Sequence, residues 1–144
     1  MSNWLTAGAE WLPLLNAAED RYALPHNLLA RIAFQESSFR PEVIDCQIAS
    51  KAGALGIMQL MPAYFPNAGH SPAVDIDDAA QLLANLHARY KDWQLALAGY
   101  NWGGGNVHHV IVTEGIPMLA DLPAETANYV KQIVADVPVP GILV

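Results

Sequence analysis

The chain has 144 residues, 53% of them hydrophobic, with a formal net charge of −7 and one cysteine, Cys46. A length of this order suits one domain, taken here as residues 1–144, and buries about 68–70% of the unfolded surface without staples. The acidic balance and the lack of any basic run exclude a nucleic-acid binder, a lone cysteine excludes an intramolecular disulfide, and no apolar stretch reaches transmembrane length.

Residues 4–12 are apolar and suit a short helix. Pro13 fits a first helical position. After it, Leu14, Leu15, Ala18 and Tyr22 are placed on one face, with Glu19, Asp20 and Arg21 on the other. Leu24-Pro25 ends that helix, and Pro25 opens the next, which runs to about Ser37. Two helices joined so tightly must pack as neighbours. From Ser38 to Ala54 periodicity is lost, which predicts a loop punctuated by Pro41 and Gly53. Gly56 to Pro62 predicts a short helical turn, with another restarted at Pro62, and residues 66–75 read as loop.

Asp75 reads as an N-cap, with Asp77 and Asp78 in the first turn where the helix dipole favours anions. Ala79, Leu82, Leu83, Leu86 and Tyr90 then form the cleanest amphipathic stripe in the chain. Lys91-Asp92 breaks it. Trp93 to Tyr100 is apolar all round and predicts a helix in the middle of the fold. Gly103-Gly104-Gly105 halts it, Asn106 to Thr113 forms another short helix, and Gly115-Ile116-Pro117 closes that one. Pro123 starts the last helix, with Ala127, Val130, Ile133 and Val134 facing inward, and the tail from Val137 to Gly141 is extended. No convincing strand and no internal repeat appear, so the class is mainly α.

Four groups could carry chemistry. On the helix ending at Ser37, Leu29, Ile32, Ala33 and Glu36 share one face. A carboxyl held among apolar side chains has its charged form disfavoured, which raises its pKa and suits a general acid near neutral pH. The plainer reading, a carboxylate capping or pairing with an arginine at the rim of the core, has even weight on periodicity alone. In Gly56-Ile57-Met58-Gln59, the glycine lets backbone approach a ligand closely and Gln59 supplies both donor and acceptor, unless the segment is only a turn packed on the core. Tyr100, Asn101 and Trp102 offer flat faces and an amide suited to sugars, or else they end a helix together with the glycines. Glu125 and Tyr129 form an i,i+4 pair, functional or merely a surface bond. His108-His109 point to different helical faces, and no further ligands are spaced to complete a metal site. No Gly-Lys-Ser/Thr follows the glycines, so a phosphate loop is set aside. No Cys-His signature surrounds Cys46, which reads as an inert thiol.

In this order the groups resemble the soluble lytic transglycosylase family, whose lysozyme-like fold is shared with goose-type lysozymes. The resemblance covers about Pro13 to Val134. Glu36-Ser37 is similar to the family's Glu-Ser motif, and Ser50 to Gln59 to its serine loop and Gly-Leu-Met-Gln turn. Ala98-Gly99-Tyr100-Asn101 is similar to its Ala-Tyr-Asn motif, and Glu125-Thr126 through Tyr129-Val130 to its Glu-Thr…Tyr-Val helix. The resemblance implies Glu36 as sole catalytic acid/base, with Ser50, Met58, Gln59, Tyr100, Asn101 and Tyr129 along a sugar groove and Glu125 in support. It implies no metal and no cofactor. Three departures stand out: a longer loop between Glu36 and Gly56 that contains Cys46, Trp102 in place of a small residue, and no secretion signal.

The activity so implied is non-hydrolytic cleavage of the β-1,4 bond between N-acetylmuramic acid and N-acetylglucosamine in peptidoglycan glycan strands. It leaves 1,6-anhydromuramic ends. An ordinary glycosidase needs a second carboxylate, for which Glu42, Asp45, Asp75 and Glu125 are available, and none has the apolar setting of Glu36. A lysozyme-type hydrolase on the same fold and a non-catalytic virion or wall-binding module are the competing readings. Met1-Ser2-Asn3-Trp4-Leu5 shows no basic segment followed by an apolar one. The expectation is therefore synthesis in a bacterial cytoplasm during phage infection, with delivery to the wall by a phage holin or within a virion.

Overall fold

Helices account for nearly all regular structure, as the pattern of the sequence requires. The computed structural model describes residues 3–143, so the reading made at Met1 and Ser2 lies outside them. Among the described residues no β-strand is present, and the mainly α class holds. The chain divides into two compact units, Met1–Gln81 and Leu82–Val144.

In the first unit, α1 (Trp4–Ala7) is a single turn and α2 (Leu12–Arg21) carries Pro13 in its first turn. α2 packs against α3 (Leu28–Ser37), as the short connection demands. The faces of α2 differ from the expected ones. Leu14 is exposed, whereas Glu19 is 1% exposed. The reason is capping: the Glu19 carboxylate accepts hydrogen bonds from Asn27 N at 2.9 Å, Ala30 N at 3.1 Å and Asn16 Nδ2 at 2.7 Å. The first N–H groups of a helix have no partner of their own, and a buried anion there also meets the positive end of the dipole. The helix accordingly starts at Leu28, three residues after Pro25, with Asn27 in a left-handed conformation ahead of it.

The segment expected to be loop from Ser38 to Ala54 contains one helical turn, α4 (Pro41–Ile44), led by a proline whose fixed φ suits that position. Gly56 to Leu60 is not a helical turn but a tight reversal, closed by paired backbone bonds between Leu55 and Leu60 of 3.0 and 3.1 Å. Gly56 at φ +81° and Gln59 at φ +51° turn the chain the wrong way for a helix. α5 (Pro72–Tyr90) starts earlier than expected and takes in part of the segment read as loop. Asp75 is therefore inside the helix and does not cap it.

In the second unit, α6 (Trp93–Trp102) is buried throughout from Gln94 to Gly99 and packs against α7 (Gly104–Glu114) and α8 (Ala124–Asp136). Asp92 caps α6 by accepting from Leu95 N at 2.8 Å. Gly103 alone separates α6 from α7, because Gly104 and Gly105 are already helical. At Gly99 a Cβ would stand 3.1 Å from Leu86 Cδ2, so the missing side chain lets α6 approach the end of α5. A 3₁₀ turn at Leu119–Asp121, not foreseen in the sequence, precedes α8. The extended tail is held by α6: Asp92 Oδ2 accepts from Ile142 N, Gln94 Oε1 accepts from Leu143 N, and Gln94 Nε2 donates to Val139 O.

Candidate functional site

Glu36 lies in the last turn of α3 and is half-buried. Its expected face-mates Leu29, Ile32 and Ala33 are all fully buried, so the helix presents a carboxylate at the edge of a dry stripe. Ser37, next in the chain, is 2% exposed. Its hydroxyl donates to Ala33 O at 2.9 Å and accepts from Phe39 N at 3.2 Å. Those two bonds end the helix, and Ser38 and Phe39 then reverse the chain in left-handed conformations. The serine of the Glu-Ser pair thus fixes where the glutamate's helix stops.

Ser50 is exposed, and its Oγ accepts from Ala54 N at 2.9 Å, which tightens the loop and leaves the hydroxyl proton to point elsewhere. Met58 is fully buried and packs in the core of the first unit. Gln59 is half-buried, and its Nε2 donates to Gly56 O at 2.9 Å, so the side-chain carbonyl is the end it offers outward. Behind this reversal sits Asp75, 1% exposed, with both oxygens 3.1 Å from Gly69 N. A Cβ on Gly56 would come within 2.4 Å of Asp75 Oδ2. Gly56 is therefore required twice, by its positive φ and by the carboxylate pressed against it. Burial pushes the Asp75 carboxyl up, opposed in part by the Gly69 N–H. Cys46 lies beside this group, its Sγ 3.5 Å from Gly69 O, and burial together with Asp75 and Asp45 pushes its thiol up. A thiol held protonated is a poor nucleophile.

Of the other carboxylates weighed as partners to Glu36, Glu42 is paired with Arg40 at 2.6 Å and lies below the usual carboxylate range, through hydrogen bonds to its backbone and to Arg40. Asp45 and Glu125 are exposed. Asp75 is sealed from solvent.

In the second unit, Tyr100 and Asn101 lie in the last turn of α6 and are half-buried. Glu125 and Tyr129 lie on α8, the glutamate exposed in its first turn and the tyrosine 4% exposed. Packing of α6 on α8 brings the two motifs together, and Thr126 Oγ1 donates to Asn101 Oδ1 at 2.8 Å. Thr126 is itself 1% exposed. An apolar hollow lined by Met118, Leu119, Ala127, Lys131, Ile142 and Leu143 carries none of the residues singled out in the sequence. Among the described residues no group of three His, Cys, Asp or Glu is placed to hold a metal ion, and no helix is long and apolar enough to cross a membrane. His108 and His109 are both exposed on α7.

Two residues that shape these regions, Glu19 and Thr126, were not singled out as candidates. Glu19 is four residues from Leu15 and three from Tyr22, which places it on the inward stripe. Thr126 shares its stripe with Val130 and Ile133, and a polar residue at such a position signals a buried hydrogen bond. For the contact of Asp75 with Gly69 there is no local signal, because it depends on how a loop folds back.

The mainly α architecture, with a half-buried glutamate at the end of α3, is consistent with the lysozyme-like fold of the family that the chain matches. Residues 13–117 match the family model of the Transglycosylase SLT domain, which is most of the chain, and the protein belongs to that family. It is also similar to a protein named Transglycosylase from Enterobacteria phage PRD1, 31% identical in an alignment of 117 positions that covers 78% of this chain. The chain spans 42% of that relative's length.

Proposed function

We propose that this protein is a peptidoglycan lytic transglycosylase with Glu36 as its single acid/base. The observation that carries the reading is the half-buried carboxylate of Glu36 beside fully buried Leu29, Ile32 and Ala33, inside the segment matched by the family model. Protonated, Glu36 gives its proton to the glycosidic oxygen between N-acetylmuramic acid and N-acetylglucosamine, and the bond to the muramoyl C1 breaks. The resulting carboxylate takes the proton of the C6 hydroxyl, whose oxygen bonds to C1 and closes the 1,6-anhydro ring. Glu36 ends protonated, and no water is consumed.

Support for one carboxylate comes from the state of the others: Glu42 is held by Arg40, and Asp75 is sealed away and bound to Gly69. A hydrolase would need a second carboxylate about 5–5.5 or 6.5–9.5 Å from the first. Ser50, Gln59, Tyr100 and Asn101 are the sugar-binding residues in this reading, with Met58 and Tyr129 acting from beneath the surface and Glu125 in support. The phage relative supports a phage origin, and the reading places delivery to the wall through a holin or in a virion. Glu36→Gln tests the proposal on purified peptidoglycan: the variant should lose lysis and keep binding to the wall. Lysis at the wild-type rate would remove Glu36 from the chemistry, and a wild-type protein that binds without lysing would mark a binding module.

A further inference from the structure

We propose that Trp102 is a sugar-stacking residue that adds a pyranose contact beside Tyr100 and Asn101. The inference rests on the transglycosylase reading, in which Tyr100 and Asn101 touch glycan. At this position the chain departs from the family it resembles, with an indole where a small residue is usual. Trp102 is the last residue of α6, directly after Asn101, and is half-buried. Side chains on a helix lean back over the residues three and four before them. For Trp102 those are Gly99 and Ala98, which are small and buried and raise no wall around the ring. Gly103, Gly104 and Gly105 follow and bring no side chain over it, and a Cβ at Gly105 would meet nothing within 4 Å. The turn is nonetheless fixed, because Asn106 Nδ2 donates to Trp102 O at 2.6 Å.

Among the described residues the Trp102 side chain takes part in no ring stack, cation–π contact or hydrogen bond. Trp93 differs in this, since it stacks on His87 with ring centroids 3.7 Å apart. No buried side-chain nitrogen among the described residues lacks a partner, so the unpartnered Trp102 N–H reaches solvent. An aromatic face with such a donor on its rim suits a ligand that is apolar on its face and polar at its edge. A β-1,4-linked N-acetylglucosamine ring is built that way. Axial C–H groups make its faces apolar, and hydroxyl and acetamido oxygens surround its edge. The indole face takes the C–H face, and Nε1–H donates to an edge oxygen. Nucleobases also stack on open indoles, but a net charge of −7 disfavours the phosphate chain that carries them.

The test follows the indole N–H resonances of the full chain carrying Glu36→Gln, titrated with soluble β-1,4-linked N-acetylglucosamine oligomers. Trp102→Phe identifies the Trp102 resonance by its absence. That resonance should move during the titration, while that of buried Trp4 stays. A Trp102 resonance that stays in place throughout overturns the proposal. Trp102→Ala in the same background should weaken oligomer binding about tenfold, the loss expected for one stacked ring. Trp102→Phe keeps an aromatic face and loses only the N–H, so it should bind within about threefold of the parent. A folded Trp102→Ala that binds as tightly as the parent also overturns the proposal. If Trp102→Ala fails to fold, the resonance of the intact tryptophan decides.

Failure of the enzymatic reading is seen separately, in turnover of purified peptidoglycan by the chain with Glu36 intact. Oligomer binding at Trp102 without any turnover would remove the transglycosylase reading and keep the stacking residue. Turnover by Trp102→Ala at the wild-type kcat/KM would keep that reading and remove the stacking residue.

Discussion

The two units are each stabilised internally, by different means. In the first, the chain reverses through left-handed residues that are not glycine: Ala23, Asn27, Ser38, Phe39, Cys46 and Gln59. Lys91 is the counterpart found in the second unit. Each such residue costs about 1–2 kcal/mol of local strain, which the surrounding bonds must offset. Those bonds are polar and buried, made by Glu19, Ser37 and Asp75. The second unit instead rests on α6, buried from Gln94 to Gly99, with polar pins at its ends. The contrast teaches that the first unit spends stability on placing its reversals, one beginning two residues past Glu36 and another at Gln59. The second unit has, among the described residues, a single left-handed residue that is not glycine, and joins α6 to α8 through the bond of Thr126 to Asn101.

Four outcomes would break or sharpen that contrast. The largest concerns activity: Glu36→Gln should lower turnover on the order of 10²–10⁴-fold while the circular dichroism spectrum is unchanged. Next, Glu19→Ala strands three donors, two of them backbone N–H groups, and should cost about 3 kcal/mol. The check is a lower urea midpoint at constant slope, and a variant as stable as wild type would remove the polar anchor from the account. Gly56→Ala forces a positive φ on a residue with a side chain and drives its Cβ into Asp75, which should cost about 2 kcal/mol and disturb Gln59. An alanine tolerated there would show that the reversal is not held as described.

The smallest effect is a pH dependence. Burial raises the Asp75 carboxyl, so the folded chain keeps that proton to higher pH than the unfolded chain does. Its contribution is complete below an ordinary aspartate pKa of about 3.9 and is lost as pH rises through the raised value. Wild type should therefore lose stability relative to Asp75→Asn as pH climbs from about 4, read as urea midpoints across a pH series. A constant difference would contradict the assignment.

Much of this was legible in the sequence where apolar periodicity is unbroken. The α6 run and the stripe of Ala79, Leu83 and Leu86 are buried as expected, and the mainly α class followed from them. The reading failed where a polar residue does interior work. Glu19 was assigned to solvent because it is charged, although its spacing placed it with Leu15 and Tyr22. The Gly56 reversal was read as helical because Ile57, Met58, Leu60 and Met61 are helix formers. Propensity there gives way to a paired Leu55–Leu60 bridge and to Asp75, which is distant in sequence. The candidate site residues are named from sequence motifs, whereas the bonds around them, such as that of Thr126 to Asn101, depend on helix packing.

The central claim is that a lone carboxylate works with a nucleophile supplied by the sugar. Mass spectrometry of the glycan ends released from purified peptidoglycan tests it most directly. The account predicts 1,6-anhydromuramic ends, each one water lighter than a reducing end. Reducing muramic ends alone would mean that water attacks C1, and would contradict it.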